Sequence, residues 1–330
     1  MSKSSGRWPE PEGGNGIMWG WAVGAAAVIA AAGGGAYAVS AKMQQPKRRP
    51  IEAVPQAPYE TVRFESEGVP MAGWLIRPPS AGADAAAPRP TVVVAHGWGS
   101  NRSRVLRYAH PLVNAGYNVF VYDARCHGES GSIKAPTGLM FKADIRAAVE
   151  TAAKLPGVDA SRIAVLGHSM GGLGALLACA DGLGVRAVVT DNAPLTLETI
   201  IRSELRRRKL PAFPLDRIMP RVWLFRAGIP YSAVAGIDMP AWVMANAKAV
   251  REGRGTPVLM IHATGDPIVP ADELRRVAAR APVEHRFVEV DGHSSSERDP
   301  AFWETVLPFL ERHLGGGGSP RTTDDGVIGA

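Results

Sequence analysis

The chain has 330 residues, 46% hydrophobic and 21% charged, with two cysteines and a formal net charge of +6 at pH 7. That balance suits a globular protein with a sizeable core and excludes a chain disordered throughout. Cys126 and Cys179 are too few for a disulfide scaffold and too far apart for a paired-cysteine metal or redox site, and the mild basic excess does not point to nucleic acid.

In chain order, a polar segment covers residues 1–16, and Ile17 to Ala41 then runs without a charged side chain. As a helix that run would be about 37 Å long at about 1.5 Å per residue, against a hydrocarbon core of about 30 Å. Trp19 and Trp21 lie near one end and Tyr37 near the other, where amphipathic rings favour a membrane interface. The expectation is a single-pass transmembrane anchor over 17–41. The alternative is a signal peptide cleaved near Ala36-Tyr37-Ala38, releasing an exported protein. Lys42, Lys47, Arg48 and Arg49 outnumber Lys3 and Arg7 across the run, which favours a cytoplasmic side for the main domain.

A proline-rich linker spans 42–58, and strands and helical patterns alternate after it. Strand-like runs lie at Thr61 to Ser66, Ala72 to Arg77, Thr91 to Ala95, Asn118 to Tyr122, Arg162 to Leu166, Val185 to Thr190, Pro257 to Ile261 and His285 to Val290. Several are continuously apolar, as in strands buried on both faces. Helical stretches are expected near Arg104 to Ala115, Met140 to Leu155, Gly172 to Ala180, Ala271 to Arg280 and Ala301 to His313. The fold class is therefore α/β, a mostly parallel sheet covered by helices, in one domain over 59–314. Residues 194–255 carry no strand signal but hold Arg206 to Lys209, several prolines, Trp223, Phe225, Tyr231 and Trp242, which suits a lid or cap inserted over a site. The basic run reads first as a solvated face and second as a patch for anionic lipid. A glycine-rich tail from 315 to 330 is expected to be disordered.

The chemistry falls at strand ends. Gly167-His168-Ser169-Met170-Gly171 follows the apolar run Ile163 to Leu166 and opens a helical run, the strand-turn-helix setting of a strained nucleophile elbow. Asp266 follows the strand ending at Ile261, and Asp291-Gly292-His293 follows the last strand. Ser169, Asp266 and His293 thus stand in the order nucleophile, acid, base, with Asp291 a weaker candidate for the acid. No spacing of the eight histidines suggests a metal site, and no cofactor motif occurs.

With His96-Gly97-Trp98-Gly99-Ser100, Asp123-Ala124-Arg125-Cys126-His127-Gly128-Glu129-Ser130, the elbow, Gly265 to Pro270 and Gly292-His293-Ser294 in order, residues 59–314 resemble the α/β-hydrolase superfamily. The likeness is to its serine-hydrolase branch, among bacterial esterases and serine-aminopeptidase-like hydrolases, some of them membrane-anchored. Cys126 departs from the family, which usually has glycine there, and Ala263 also stands where glycine is common.

The resemblance implies catalysis by Ser169, Asp266 and His293 on a small-molecule acyl substrate, with no metal and no cofactor. It also implies an oxyanion hole from the backbone N–H groups of Trp98 and Met170. A carboxylic ester is the first expectation, with thioester or amide cleavage, acyl transfer and a non-catalytic interaction module behind it. Membrane contact is expected through the N-terminal helix, and the oligomeric state is left open.

Overall fold

The computed structural model describes residues 14–79 and 87–315, and the chain divides into two compact units, residues 1–43 and 44–330. The first carries one helix, α1 (Gly14–Met43). Alanine has the highest helix propensity, and no proline interrupts the segment, so the helix expected over 17–41 forms. A transmembrane span was expected there. Among the described residues, no helix is long and apolar enough to cross a membrane. Alanine and glycine fill most of the 30 positions of α1, and each carries little apolar surface. The expected tail beyond Gly315 and the polar segment before Gly14 lie outside the described residues.

The second unit is built on eight strands: β1 (Tyr59–Ser66), β2 (Val69–Ile76), β3 (Arg89–Ala95), β4 (Asn118–Asp123), β5 (Val158–His168), β6 (Ala187–Asp191), β7 (Val258–Gly265) and β8 (Glu284–Asp291). Their spatial order is β1-β2-β4-β3-β5-β6-β7-β8. The β1–β2 and β2–β4 pairs are antiparallel, and every pair from β4–β3 to β7–β8 is parallel. Glu67 and Gly68, both at positive φ, close the β1–β2 hairpin with the twist that adjacent strands need. Each of the eight expected strands is present, most of them longer than the apolar run that announced it.

Among the described residues, nine α-helices complete the unit: α2 (Leu106–Asn114), α3 (Gly138–Ala152), α4 (Met170–Ala180), α5 (Leu197–Arg207), α6 (Leu215–Arg226), α7 (Ser232–Ala235), α8 (Met239–Arg251), α9 (Asp272–Ala278) and α10 (Pro300–Leu314). They bury two cores on opposite sheet faces. Phe141 and Ile145 of α3 and Leu173 and Leu176 of α4 pack on one; Leu112 of α2 and Phe302, Val306 and Phe309 of α10 pack on the other. Helix α4 is apolar all round, as a helix enclosed on every side must be.

Helices α5 to α8 form the expected insertion between β6 and β7. Its entry is pinned by Glu273 of α9, which accepts from the Leu195 backbone N–H at 2.8 Å and from the hydroxyls of Thr196 and Thr199. Its exit is closed by Asn246, whose amide exchanges two hydrogen bonds with the Thr256 backbone. Residues 44–52, expected as linker, lie against the domain as a strap. Gln44 bonds the Trp223 carbonyl in α6, Arg48 donates to the carbonyls of Gly128 and Ser130, and Arg49 donates to the Gly99 carbonyl at 2.8 Å.

Candidate active site

The parallel strands end along one edge, where β3, β4, β5, β7 and β8 deliver the polar residues that the sequence singled out. Ser169 sits between β5 and α4 at φ 54° and ψ −119°, a region that costs a non-glycine residue of order 1–3 kcal/mol. The glycines of the elbow make that turn possible. A Cβ on Gly167 would lie 2.5 Å from the Gly171 carbonyl oxygen, and one on Gly171 would run into the carbonyl oxygen of Ala95. Only bare backbones pass this close. The Ser169 N–H is tied to the Asp191 carbonyl at 2.8 Å, which holds the elbow to β6.

His293 Nε2 lies 2.8 Å from Ser169 Oγ, and His293 Nδ1 lies 2.6 Å from Asp266 Oδ2. The Asp266 side chain is fully buried and its Oδ1 accepts from the backbone N–H groups of Ile268 at 2.8 Å and Val269 at 3.0 Å. The carboxylate is thereby fixed, and it orients the imidazole so that Nε2 faces the serine. The three residues named from the sequence are brought into one hydrogen-bonded chain. His293 Nδ1 thus bonds Asp266 and not Asp291, the weaker candidate for the acid, whose backbone carbonyl accepts from the Ser295 hydroxyl.

Trp98 and Met170 also lie where the sequence reading put them, on the loop after β3 and at the first position of α4. A Cβ on Gly97 would come 3.0 Å from Ser169 Cβ, so the loop after β3 runs directly beside the serine. That loop is held by the Gly99 N–H, which donates to His127 Nε2 at 3.0 Å, and by the Ser100 N–H, which donates to the Gly97 carbonyl. Among the described residues, neither the Trp98 nor the Met170 N–H has a protein acceptor.

The histidines of the motifs act on backbone. His96 Nε2 accepts from the Ala124 N–H, and burial pushes the ring down to about 4. His127 is pushed down to about 3, mainly by burial and then by His96, so it stays neutral and keeps its lone pair for Gly99. His168 donates from Nε2 to the His293 carbonyl at 2.7 Å; burial, and secondly the neighbouring His293, hold it well below the ordinary histidine range. A second cation thus does not develop beside His293.

Asn192 escaped sequence reasoning. It is fully buried at φ 50°, a left-handed conformation that asparagine tolerates better than most residues. Its Nδ2 donates to the His293 carbonyl at 3.2 Å and to Ser296 Oγ at 2.8 Å, while Oδ1 accepts from the Ala263 N–H at 2.8 Å. Asn192 and His168 therefore clamp the backbone of His293 from two strands. Position gave one hint, since Asn192 ends the strand beside the elbow. Cys126, the departure from the family glycine, also sits at positive φ (66°), and the Ile133 N–H donates to its sulfur. The glycine common at that position suits a backbone conformation that this chain imposes on cysteine.

Residues 86–227 match the family model described as serine aminopeptidase, S33, which includes the elbow. The YqkD protein of Bacillus subtilis strain 168 is 27% identical over 230 residues, covering 67% of this chain and 71% of that protein. The quorum-quenching protein AidA of Acinetobacter baumannii is 34% identical over 149 residues, covering 44% of this chain and 47% of its own. Among solved structures, an esterase of Pyrococcus furiosus superposes with a TM-score of 0.62 at 23% identity, covering 82% of this chain and 98% of that one. A puromycin-hydrolyzing peptidase of Mycobacterium tuberculosis gives a TM-score of 0.59 at 20% identity, covering 80% of this chain and 40% of that one. The eight-stranded sheet, the elbow between β5 and α4 and these superpositions show the α/β-hydrolase fold, and residues 86–227 are similar to the serine aminopeptidase family.

Proposed function

We propose that this hydrolase is serine-dependent and cleaves a carboxylic ester through an acyl-enzyme. The observation that carries the reading is the continuous chain from Ser169 Oγ through the His293 imidazole to Asp266. In this scheme Ser169 Oγ attacks the acyl carbon as His293 Nε2 takes its proton. The same proton passes to the leaving alcohol, and Asp266 stabilises the imidazolium between the two transfers. Water then repeats the sequence on the acyl-serine. Negative charge on the acyl oxygen meets the N–H groups of Trp98 and Met170. A preorganised donor of this kind contributes about 3–4 kcal/mol to the transition state.

The match to a serine aminopeptidase model favours a second reading, amide cleavage with the same residues. A fluorophosphonate probe labels the wild type in this scheme, and Ser169→Ala abolishes labelling; labelling that survives the substitution refutes the assignment. A chain-length series of p-nitrophenyl esters beside aminoacyl amides then ranks the two substrate classes. Turnover confined to the amides replaces the esterase reading and leaves the mechanism standing.

A further inference from the structure

The insertion over 194–255 holds eleven Lys and Arg against five Asp and Glu, an excess equal to the net charge of the whole chain. It also holds six of the nine exposed large hydrophobic residues found beyond residue 43 among the described residues. The two properties converge on one row. Arg217, Arg221 and Phe225 recur every four residues along α6, the spacing that lines side chains along one helix face, and Phe213 precedes the helix beside Arg217. Phe213 is 69% exposed and Phe225 80%, and Ile218 beside them is exposed too. The Arg217 guanidinium lies over the Phe213 ring at 5.5 Å, and Arg221 lies over Tyr231 at 5.1 Å. Neither arginine has an acidic partner among the described residues. The nearby Arg202, Arg207 and Arg208, by contrast, are spent on Glu198, Asp216 and Glu204.

Of the aromatic residues that suited a lid over a site, Phe225 and Tyr231 are exposed to solvent, as is Phe213, while Trp242 packs onto the core of the domain.

We propose that this face of α6 docks the protein on an anionic lipid surface. Aromatic rings favour the level of the headgroups, where their apolar bodies leave water. Guanidinium groups stacked on those rings reach the same depth, still able to donate to lipid phosphate. An acidic peptide would satisfy the arginines but would leave Phe213 and Phe225 in water, so the pairing of ring and cation selects the bilayer.

The test is sedimentation of the full chain with vesicles of phosphatidylcholine alone and of phosphatidylcholine with phosphatidylglycerol. The helix α1 is present in every variant, so its own contribution cancels. Binding to the anionic vesicles is expected to fall about 5-fold per arginine, roughly 30-fold in Arg217→Gln/Arg221→Gln. Phe213→Ser/Phe225→Ser should lose at least as much, while melting and turnover of a soluble ester stay unchanged. Equal sedimentation of wild type and the phenylalanine variant overturns the proposal. So does wild-type binding that is the same with and without phosphatidylglycerol, or an acidic peptide in solution that displaces the protein from neither vesicle yet binds Arg217 and Arg221.

Discussion

Replacing Asn192 tests whether the clamp on His293 matters to turnover as well as to stability. Asn192→Gly keeps the backbone at its positive φ without strain and removes the three side-chain hydrogen bonds to Ala263, His293 and Ser296. The His293 carbonyl retains the donor from His168, but the buried Ala263 N–H is left without its acceptor. An unsatisfied buried group costs about 1–3 kcal/mol and an ordinary lost bond about 1 kcal/mol, so the variant should lose about 2–4 kcal/mol. At roughly 2–4 °C per kcal/mol for a domain of this size, Tm falls by roughly 5–15 °C. With one of its two backbone clamps gone, His293 samples positions off the line to Ser169, and displacements near 1 Å cost about 10²-fold in rate. The expected outcome is kcat/KM down about 10- to 100-fold on a p-nitrophenyl ester, measured well below the variant's Tm. Asn192→Ala should melt about 1 kcal/mol lower still, because alanine bears the left-handed backbone badly. A glycine variant with wild-type Tm, or one with lowered Tm and full kcat/KM, would refute the reasoning.

At Ser169, the glycine and alanine variants should both be inactive, but Ser169→Gly should be the more stable of the two by about 1–2 kcal/mol, because only glycine is unstrained at φ 54°; equal melting of the pair counts against strain at the elbow. Burial holds the folded-state pKa of His127 down to about 3. Its contribution is therefore complete above the unfolded value near 6.5 and is lost at about 1.4 kcal/mol per pH unit as pH falls below it. His127→Gln, which still offers an acceptor to Gly99, should flatten that acid slope in urea titrations between pH 6.5 and 4.5, and an unchanged slope would reject the assignment. Asp191 works in the opposite sense: burial pushes it up to about 6, so the folded state keeps a proton that the unfolded chain has released near pH 4. Stability falls as pH rises through that window by about 3 kcal/mol, and Asp191→Asn should abolish the fall; the same stability curves show whether it does.

Most of this architecture was written locally. The parallel strands announce themselves because burial on both faces demands continuous apolar runs such as Val92 to Val94, all three fully buried. Ser169, Asp266 and His293 were legible because each follows such a strand within a few residues, and the parallel sheet brings those ends to one edge. The helix over 17–41 was equally legible. Arg48 and Arg49 entered the sequence reading only as flanking charge; in the structure they also donate to carbonyl oxygens of Gly128, Ser130 and Gly99.

The clamp on His293 was invisible for a physical reason. Its donors act through one backbone carbonyl, and Asn192 meets its backbone partners 71 and 101 positions along the chain. A side chain that bonds backbone places no demand on the type of its partner. No paired residue therefore appears at the far end to betray the contact. The same holds for Glu273, whose carboxylate pins the insertion partly through the Leu195 N–H. Strands and the elbow are set by neighbours, so they can be read in order. The bonds that aim His293 exist only once β6, β7 and β8 lie side by side, which is why a sequence can name the histidine long before it can say what holds it.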